Sequence, residues 1–270
     1  MDNNLPQKRE RERENTRPRR ARVPVIKKSH SLHDLVPLIA ASNSMPPVTV
    51  HSDAMFTMSL HSHLCTDEII GWMAGSVSED LIEIRQAFPV KALVHENGRI
   101  NVEMDAEDAV EVRSQIEENE LSIVGWYHSH PTFEVHPSLM DIDNQLNYQG
   151  ISEKYFLGGI ISPYYSTSKM EGVFTIFCVK KNTEEMKRNG YHPAYSVRFN
   201  VNQEIISEKC IVRAKQLAKQ YKEHRKFVNV GKKWKKGISI VDKIRKALEV
   251  FRIKDEDLTE ILGILNKVII

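Results

Sequence analysis

Seven successive residues, Ile69-Ile70-Gly71-Trp72-Met73-Ala74-Gly75, present apolar groups on both faces of an extended chain. A strand with one face in water alternates apolar and polar side chains, whereas a strand that does not alternate needs cover on both sides. The run is therefore read as a buried central strand ended by Gly75. Before it, Met55, Phe56, Met58, Leu60 and Leu64 recur at near-helical spacing and predict an amphipathic helix over residues 53–65. After it, residues 105–119 alternate charged and apolar positions at helical period, with Val110, Val112 and Ile116 expected inward.

The other elements follow from similar patterns. Strands are expected at 48–50, 81–89, 92–95, 121–127, 156–162, 172–180 and 195–201, and a helix from Pro137-Ser138 to about Gln149. A short helix is predicted over 33–41, followed by a proline-containing linker over 42–47. Residues 204–227 read as a long helix with a basic face, 232–237 as a basic break, and 240–253 and 258–270 as short amphipathic helices. The fold class is α/β, a mixed β-sheet flanked by helices.

A length of 270 residues with 41% hydrophobic residues supports one substantial core and a small appended module. The net charge of +2 conceals basic ends around an acidic middle. Residues 7–28 are dense in arginine and glutamate and cannot bury enough apolar surface to offset the entropy of ordering. They read as a disordered basic arm, with a nuclear localisation signal or a nucleic-acid contact as its candidate uses. The expected division is 1–45 for arm and linker, 46–202 for the main domain and 203–270 for a helical basic C-terminal extension.

Cys65, Cys178 and Cys210 lie far apart with no C-x-x-C spacing, which argues against a disulfide framework or a zinc ribbon and for a reducing compartment. No apolar run approaches the roughly 18–20 residues needed to cross a bilayer, so no membrane association is expected.

The chemistry concentrates in Gly125-Trp126-Tyr127-His128-Ser129-His130-Pro131 and Pro137-Ser138-Leu139-Met140-Asp141. Side chains two apart in extended backbone point the same way, so His128 and His130 can meet one ion while Ser129 faces elsewhere. Asp141, eleven residues after His130, can return from the first turn of the next helix. Two imidazoles and a carboxylate are the donor set of a catalytic zinc with one open position. Ser138-x-x-Asp141 is equally a capping box, which explains that pair without any ion. His61-Ser62-His63, beside Cys65, lies in helical periodicity where the rings diverge, and is assigned to structure.

The spacing His128-x-His130-Pro131, six residues, then Ser138-x-x-Asp141 resembles the JAMM motif of the MPN+ zinc metalloproteases, isopeptidases that act on ubiquitin and ubiquitin-like modifiers. The resemblance implies an MPN fold with a curved sheet, one zinc on His128, His130 and Asp141, and Glu68 as general base. It also implies that Ser138 donates a hydrogen bond to the oxyanion. Leu60-His61-Ser62-His63-Leu64, Glu103-Met104-Asp105 and Ile161-Ser162-Pro163-Tyr164 resemble a histone-directed branch of that family, although 270 residues leave no room for the Myb-like and SWIRM modules found there. Glu134 and His136 are candidates for lining the substrate channel, the loop 163–171 for gripping the ubiquitin tail, and Trp126 and Tyr127 for core aromatics.

The expected function is deubiquitination, with ubiquitin or a ubiquitinated protein as partner. A nucleosome or DNA contact through the basic ends and an MPN-type protein partner are further expectations, and the nucleus is the expected compartment. The alternatives are a cytosolic isopeptidase acting on polyubiquitin or another modifier, and a non-catalytic MPN scaffold.

Overall fold

The chain alternates short strands with helices. In the computed structural model, which describes residues 35–40, 45–93, 103–151, 155–165, 169–235 and 237–266, the order begins β1 (Ile39–Ala40), β2 (Val48–Val50), α1 (Ser52–His63), β3 (Ile70–Val77) and β4 (Ile82–Val90). It continues with α2 (Ala106–Glu118), β5 (Ser122–Ser129), α3 (Leu139–Ile151), β6 (Leu157–Ser162), β7 (Val173–Val179), α4 (Thr183–Asn189), β8 (Ala194–Val197) and β9 (Phe199–Val201). The C-terminal part holds α5 (Glu208–Lys222), β10 (Lys233–Lys235), β11 (Ile238–Ser239), α6 (Ile240–Leu248) and α7 (Asp255–Asn266). No described helix is long and apolar enough to cross a membrane.

Nine strands form one mixed sheet in the order β1-β8-β7-β6-β5-β3-β4-β2-β9. The apolar run is β3, antiparallel to β4 on one side and to β5 on the other, as its two-faced burial requires. Only Arg198 separates β8 from β9, yet these strands are second and ninth in the sheet. Because successive Cα atoms are about 3.8 Å apart, the sheet must curl until its two ends meet. This is the curved sheet expected of the MPN fold.

Residues 195–201 are therefore two strands rather than the single one predicted. The helix expected over 33–41 is also corrected: residues 35–40 are extended, with Leu35 bridged to Ser138 and β1 paired in parallel with β8. Pro37 explains this, since proline has no N–H to donate and disfavours helical backbone in the residue before it. Residues 1–34 and 94–95, in the arm and in one predicted strand, lie outside the described residues.

Helix α1 differs from an amphipathic helix because it is covered on both sides. Ala54 and Met58 pack on the sheet with Met73, Tyr127 and Ile161, while Phe56, Leu60 and Leu64 pack against Cys210, Ala214, Ile244 and Ile261 of the C-terminal helices. Most of its polar residues are hydrogen-bonded inward, as Ser62 and His63 Nδ1 are to the Ser59 carbonyl, while Ser59 Oγ and His63 Nε2 are buried without a side-chain or backbone partner among the described residues. On α2, Val112 and Ile116 are buried as expected, but Val110 faces solvent. It lies about 200° around the helix from Val112, given 3.6 residues per turn, off the stripe that Ala109, Val112 and Ile116 form.

The long C-terminal helix is shorter than predicted. Ser207 caps its start by accepting the Cys210 N–H at 3.2 Å, and it ends at Lys222. The basic break that follows is the β10–β11 hairpin. Phe56 makes an edge-to-face contact with Phe251 at a centroid distance of 5.6 Å. Phe56→Ala should destabilise the protein by about 3–5 kcal/mol, the usual loss for truncating a fully buried phenylalanine. Chemical denaturation followed by both fluorescence and circular dichroism measures it, and a change under about 1 kcal/mol would contradict this packing.

Candidate metal centre

His128 is the penultimate residue of β5 and His130 follows its end, so strand alternation turns both rings to the same face. Asp141 enters from the first turn of α3. His128 Nε2 and His130 Nε2 are 3.1 Å apart, Asp141 Oδ1 is 3.3 Å from the first, and Asp141 Oδ2 is 3.5 Å from the second. Ligands of a tetrahedral ion bound at about 2.0–2.1 Å are separated by roughly 3.3 Å. The separations here are of that order, with a different Asp141 oxygen nearest each ring. One ligand atom from each residue lies within 4.8 Å of the others, and all three side chains are buried. The residues present fit a zinc ion.

The capping box is present and does not compete with this arrangement. Ser138 N–H donates to Asp141 Oδ2 at 2.7 Å, and Asp141 N–H donates to Ser138 Oγ at 3.2 Å. The Ser138 hydroxyl itself donates to Asp141 Oδ2 at 2.8 Å. One serine therefore starts the helix and aims the carboxylate, which leaves Oδ1 toward His128. Burial alone would push the Asp141 carboxyl up, but the charges and hydrogen bonds of His128 and His130 outweigh it and hold the group well below the usual carboxylate range.

Outer contacts fix the rings. His130 Nδ1 donates to the Glu134 carbonyl at 2.5 Å, so in the neutral ring Nε2 is a bare acceptor facing the cluster. Burial lowers the pKa of that ring, opposed in part by the Asp141 hydrogen bond. Phe133 stacks on His130 at 4.2 Å, and Trp126 stacks on His128 at 4.7 Å. Trp126 is anchored by its indole N–H to Gln145 Oε1 at 2.6 Å, and Gln145 donates in turn to the Phe156 carbonyl at 2.8 Å. Sequence reasoning gave Phe133 and Gln145 no role, because a stacking partner and an outer hydrogen bond leave no spacing signature.

Ser129, between the histidines, joins the two halves of the site. Its hydroxyl accepts the Ile69 N–H at 3.0 Å, and its own N–H donates to the Ile69 carbonyl at 3.0 Å. Ile70 is opposite His128 in the β3–β5 register, and Glu68 stands two residues before β3 begins, so extending that register leads it toward His130. Glu68 is half-buried, and its carboxyl is pushed well above the usual range, first by desolvation and then by the negative charges of Asp141 and Asp67.

The remaining candidates separate clearly. His61 and His63 are buried in α1, where His61 is hydrogen-bonded to Tyr127 and Tyr221 and His63 Nδ1 donates to the Ser59 carbonyl at 2.7 Å. Trp126 and Tyr127 are core aromatics. Glu134 and His136 sit on the loop between the ligands, where the Glu134 carboxylate accepts the Tyr165 hydroxyl at 2.7 Å and lies 3.7 Å from His136. Tyr165 belongs to the loop beyond β6, so the two loops expected at the channel meet beside the cluster.

Comparison with known proteins gives the family of the domain. Residues 43–154 match the family described as JAB1/Mov34/MPN/PAD-1 ubiquitin protease. An MPN domain-containing protein of Danio rerio is 30% identical over 246 residues, 85% of this chain and 52% of that protein. A human MPN domain-containing protein is 36% identical over 150 residues, 50% of this chain and 30% of that one. The histone deubiquitinase MYSM1 of Branchiostoma floridae is 31% identical over 176 residues, covering 62% of this chain and 21% of the relative. The chain thus spans about half the length, or less, of the curated relatives it matches. With its curled sheet, its buried His-His-Asp cluster and these matches, this chain carries a domain of the JAB/MPN family.

Proposed function

We propose that the chain is a zinc-dependent isopeptidase that releases ubiquitin from a lysine side chain of a conjugated protein. The observation that carries this reading is the close, buried grouping of His128, His130 and Asp141, with Glu68 just before the adjoining strand. Some relatives are named as histone deubiquitinases, which supports ubiquitinated histone as the substrate and the nucleus as the site of action.

A zinc ion held by His128, His130 and Asp141 would supply a Lewis acid and bring the pKa of a water toward neutrality. Glu68, with its raised carboxyl, is suited to take a proton from the attacking water and return it to the departing lysine amine. Ser138 would help to neutralise the oxyanion by turning its hydroxyl from Asp141 toward it. The Glu134 carbonyl and the Phe133 ring keep His130 from rotating away.

The basic C-terminal face is smaller than the sequence suggests. Lys215 is paired with Asp257 and Glu260, Arg213 is held by Gln86 and the Phe88 ring, and Lys226 lies 3.5 Å from Asp67. Lys219, Arg225, Lys232 and Lys233 remain exposed as a candidate phosphate contact.

Asp141→Ala should weaken zinc binding by more than the ~10–100-fold typical of losing an outer hydrogen-bond partner, as measured by metal analysis after dialysis against a weak chelator. Glu68→Gln should keep one zinc per chain and lower kcat on ubiquitin conjugates by roughly 10²–10⁴-fold. Full activity in that folded, zinc-loaded variant would rule out Glu68 as the base. Nucleosome affinity should fall steeply as salt is raised, while cleavage of free diubiquitin changes little. Equal salt dependence of the two would place the substrate away from chromatin.

A further inference from the structure

The end of α5 touches both halves of the candidate site from behind. The chain turns there, with His224 N–H donating to the Tyr221 carbonyl at 2.9 Å and Phe227 N–H to the His224 carbonyl at 2.9 Å. It then runs antiparallel to the segment that leads into Glu68. Val228 N–H donates to the Leu64 carbonyl at 3.1 Å, Thr66 N–H donates to the Lys226 carbonyl at 3.0 Å, and Cys65 and Phe227 form a bridge between these bonds. The Thr66 hydroxyl adds a bond to the same Lys226 carbonyl at 3.3 Å, and the Lys226 ammonium lies 3.5 Å from Asp67, the neighbour of Glu68.

The second attachment reaches the metal-bearing strand. The Tyr221 hydroxyl is 2.6 Å from His61 Nε2, and His61 Nδ1 is 2.9 Å from the hydroxyl of Tyr127, the residue before His128. Both phenols meet the imidazole edge-on. His61 and Tyr127 are fully buried and Tyr221 is half-buried, so each polar atom in this chain depends on the next for its partner. Burial, reinforced by His224, lowers the His61 pKa to about 3, so the ring is neutral and must donate at one nitrogen while accepting at the other.

We infer that residues 221–228 are a positioning clamp for the site, with Tyr221 and His61 holding β5 beneath its histidines and the 226–228 segment holding the approach to Glu68. This inference rests on the proposed metal site. Ligand atoms about 3.3 Å apart tolerate little backbone drift, and displacements of about 1 Å can cost catalysis 10²-fold. His128 lies on β5 and Glu68 just before β3, strands joined to each other by sheet hydrogen bonds, which allow sliding and twisting together; the clamp ties both to one further point outside the sheet. Tyr221 and His61 are positioning residues, since neither touches the cluster.

The test compares the full chain with Tyr221→Phe, which removes one hydroxyl, and with Tyr127→Phe and the double variant. Four quantities are read: thermal midpoint, zinc dissociation constant by chelator competition, kcat and KM on diubiquitin, and amide exchange over residues 126–130. The clamp predicts that Tyr221→Phe raises the zinc dissociation constant and lowers kcat about tenfold each, leaves KM within about twofold, and accelerates exchange at 126–130. The double variant should be no worse than the poorer single one, because both changes break the same chain of hydrogen bonds. A lower thermal midpoint with unchanged zinc affinity and unchanged exchange at 126–130 would overturn the clamp and leave Tyr221 with a structural part only. Failure of the unmodified protein to bind zinc would instead overturn the metal reading, and the exchange measurement would still decide whether Tyr221 restrains β5.

Discussion

The two hydrogen bonds between Ile69 and Ser129 set the register on which the site depends. A strand slipped by one residue turns every side chain to the opposite face. In β5 that slip would bury Ser129 where the histidines belong and move Glu68 out of line with them. The serine hydroxyl makes one of these two bonds, and it satisfies the Ile69 N–H where that donor has no access to water. The residue between the two histidines therefore fastens the half of the site that holds the ion to the half that holds the base.

Helix α1 carries this register into the rest of the molecule. It contributes to two hydrophobic clusters, one under the sheet and one under α5–α7, with no solvated face between them. A helix used in that way transmits strain between the clusters, since close-packed interiors leave no slack to absorb it. The C-terminal helices thus belong to the same mechanical body as the strand that bears His128 and the segment that carries Glu68 into β3, although they come later in the chain than every residue of the candidate metal site.

The elements with strong periodicity were legible in the sequence. β3, β5, α2 and α3 lie close to where apolar patterning and the Ser138 cap place them, and the His-x-His with its returning carboxylate converges as its spacing implies. The misses have physical causes. Residues 35–40 have helical composition in part, but tertiary pairing with Ser138 and β8 decides their conformation. The break at Arg198 has no local signal, because it results from the sheet closing on itself. Two-sided burial of α1 was hidden by its serines and histidines, which read as a polar face until their partners are seen. Glu68 was reachable only through family resemblance; its relation to His130 is a matter of cross-strand register, which no linear spacing encodes.

Closure of the sheet at Arg198 also governs what the protein offers to other chains. The outermost strands, β1 and β9, are only two and three residues long among the described residues. Edges this short present almost no row of free N–H and C=O groups, so the sheet resists accretion of further strands and aggregation through them. Among the described residues, the two rims therefore offer a further extended chain little to pair with.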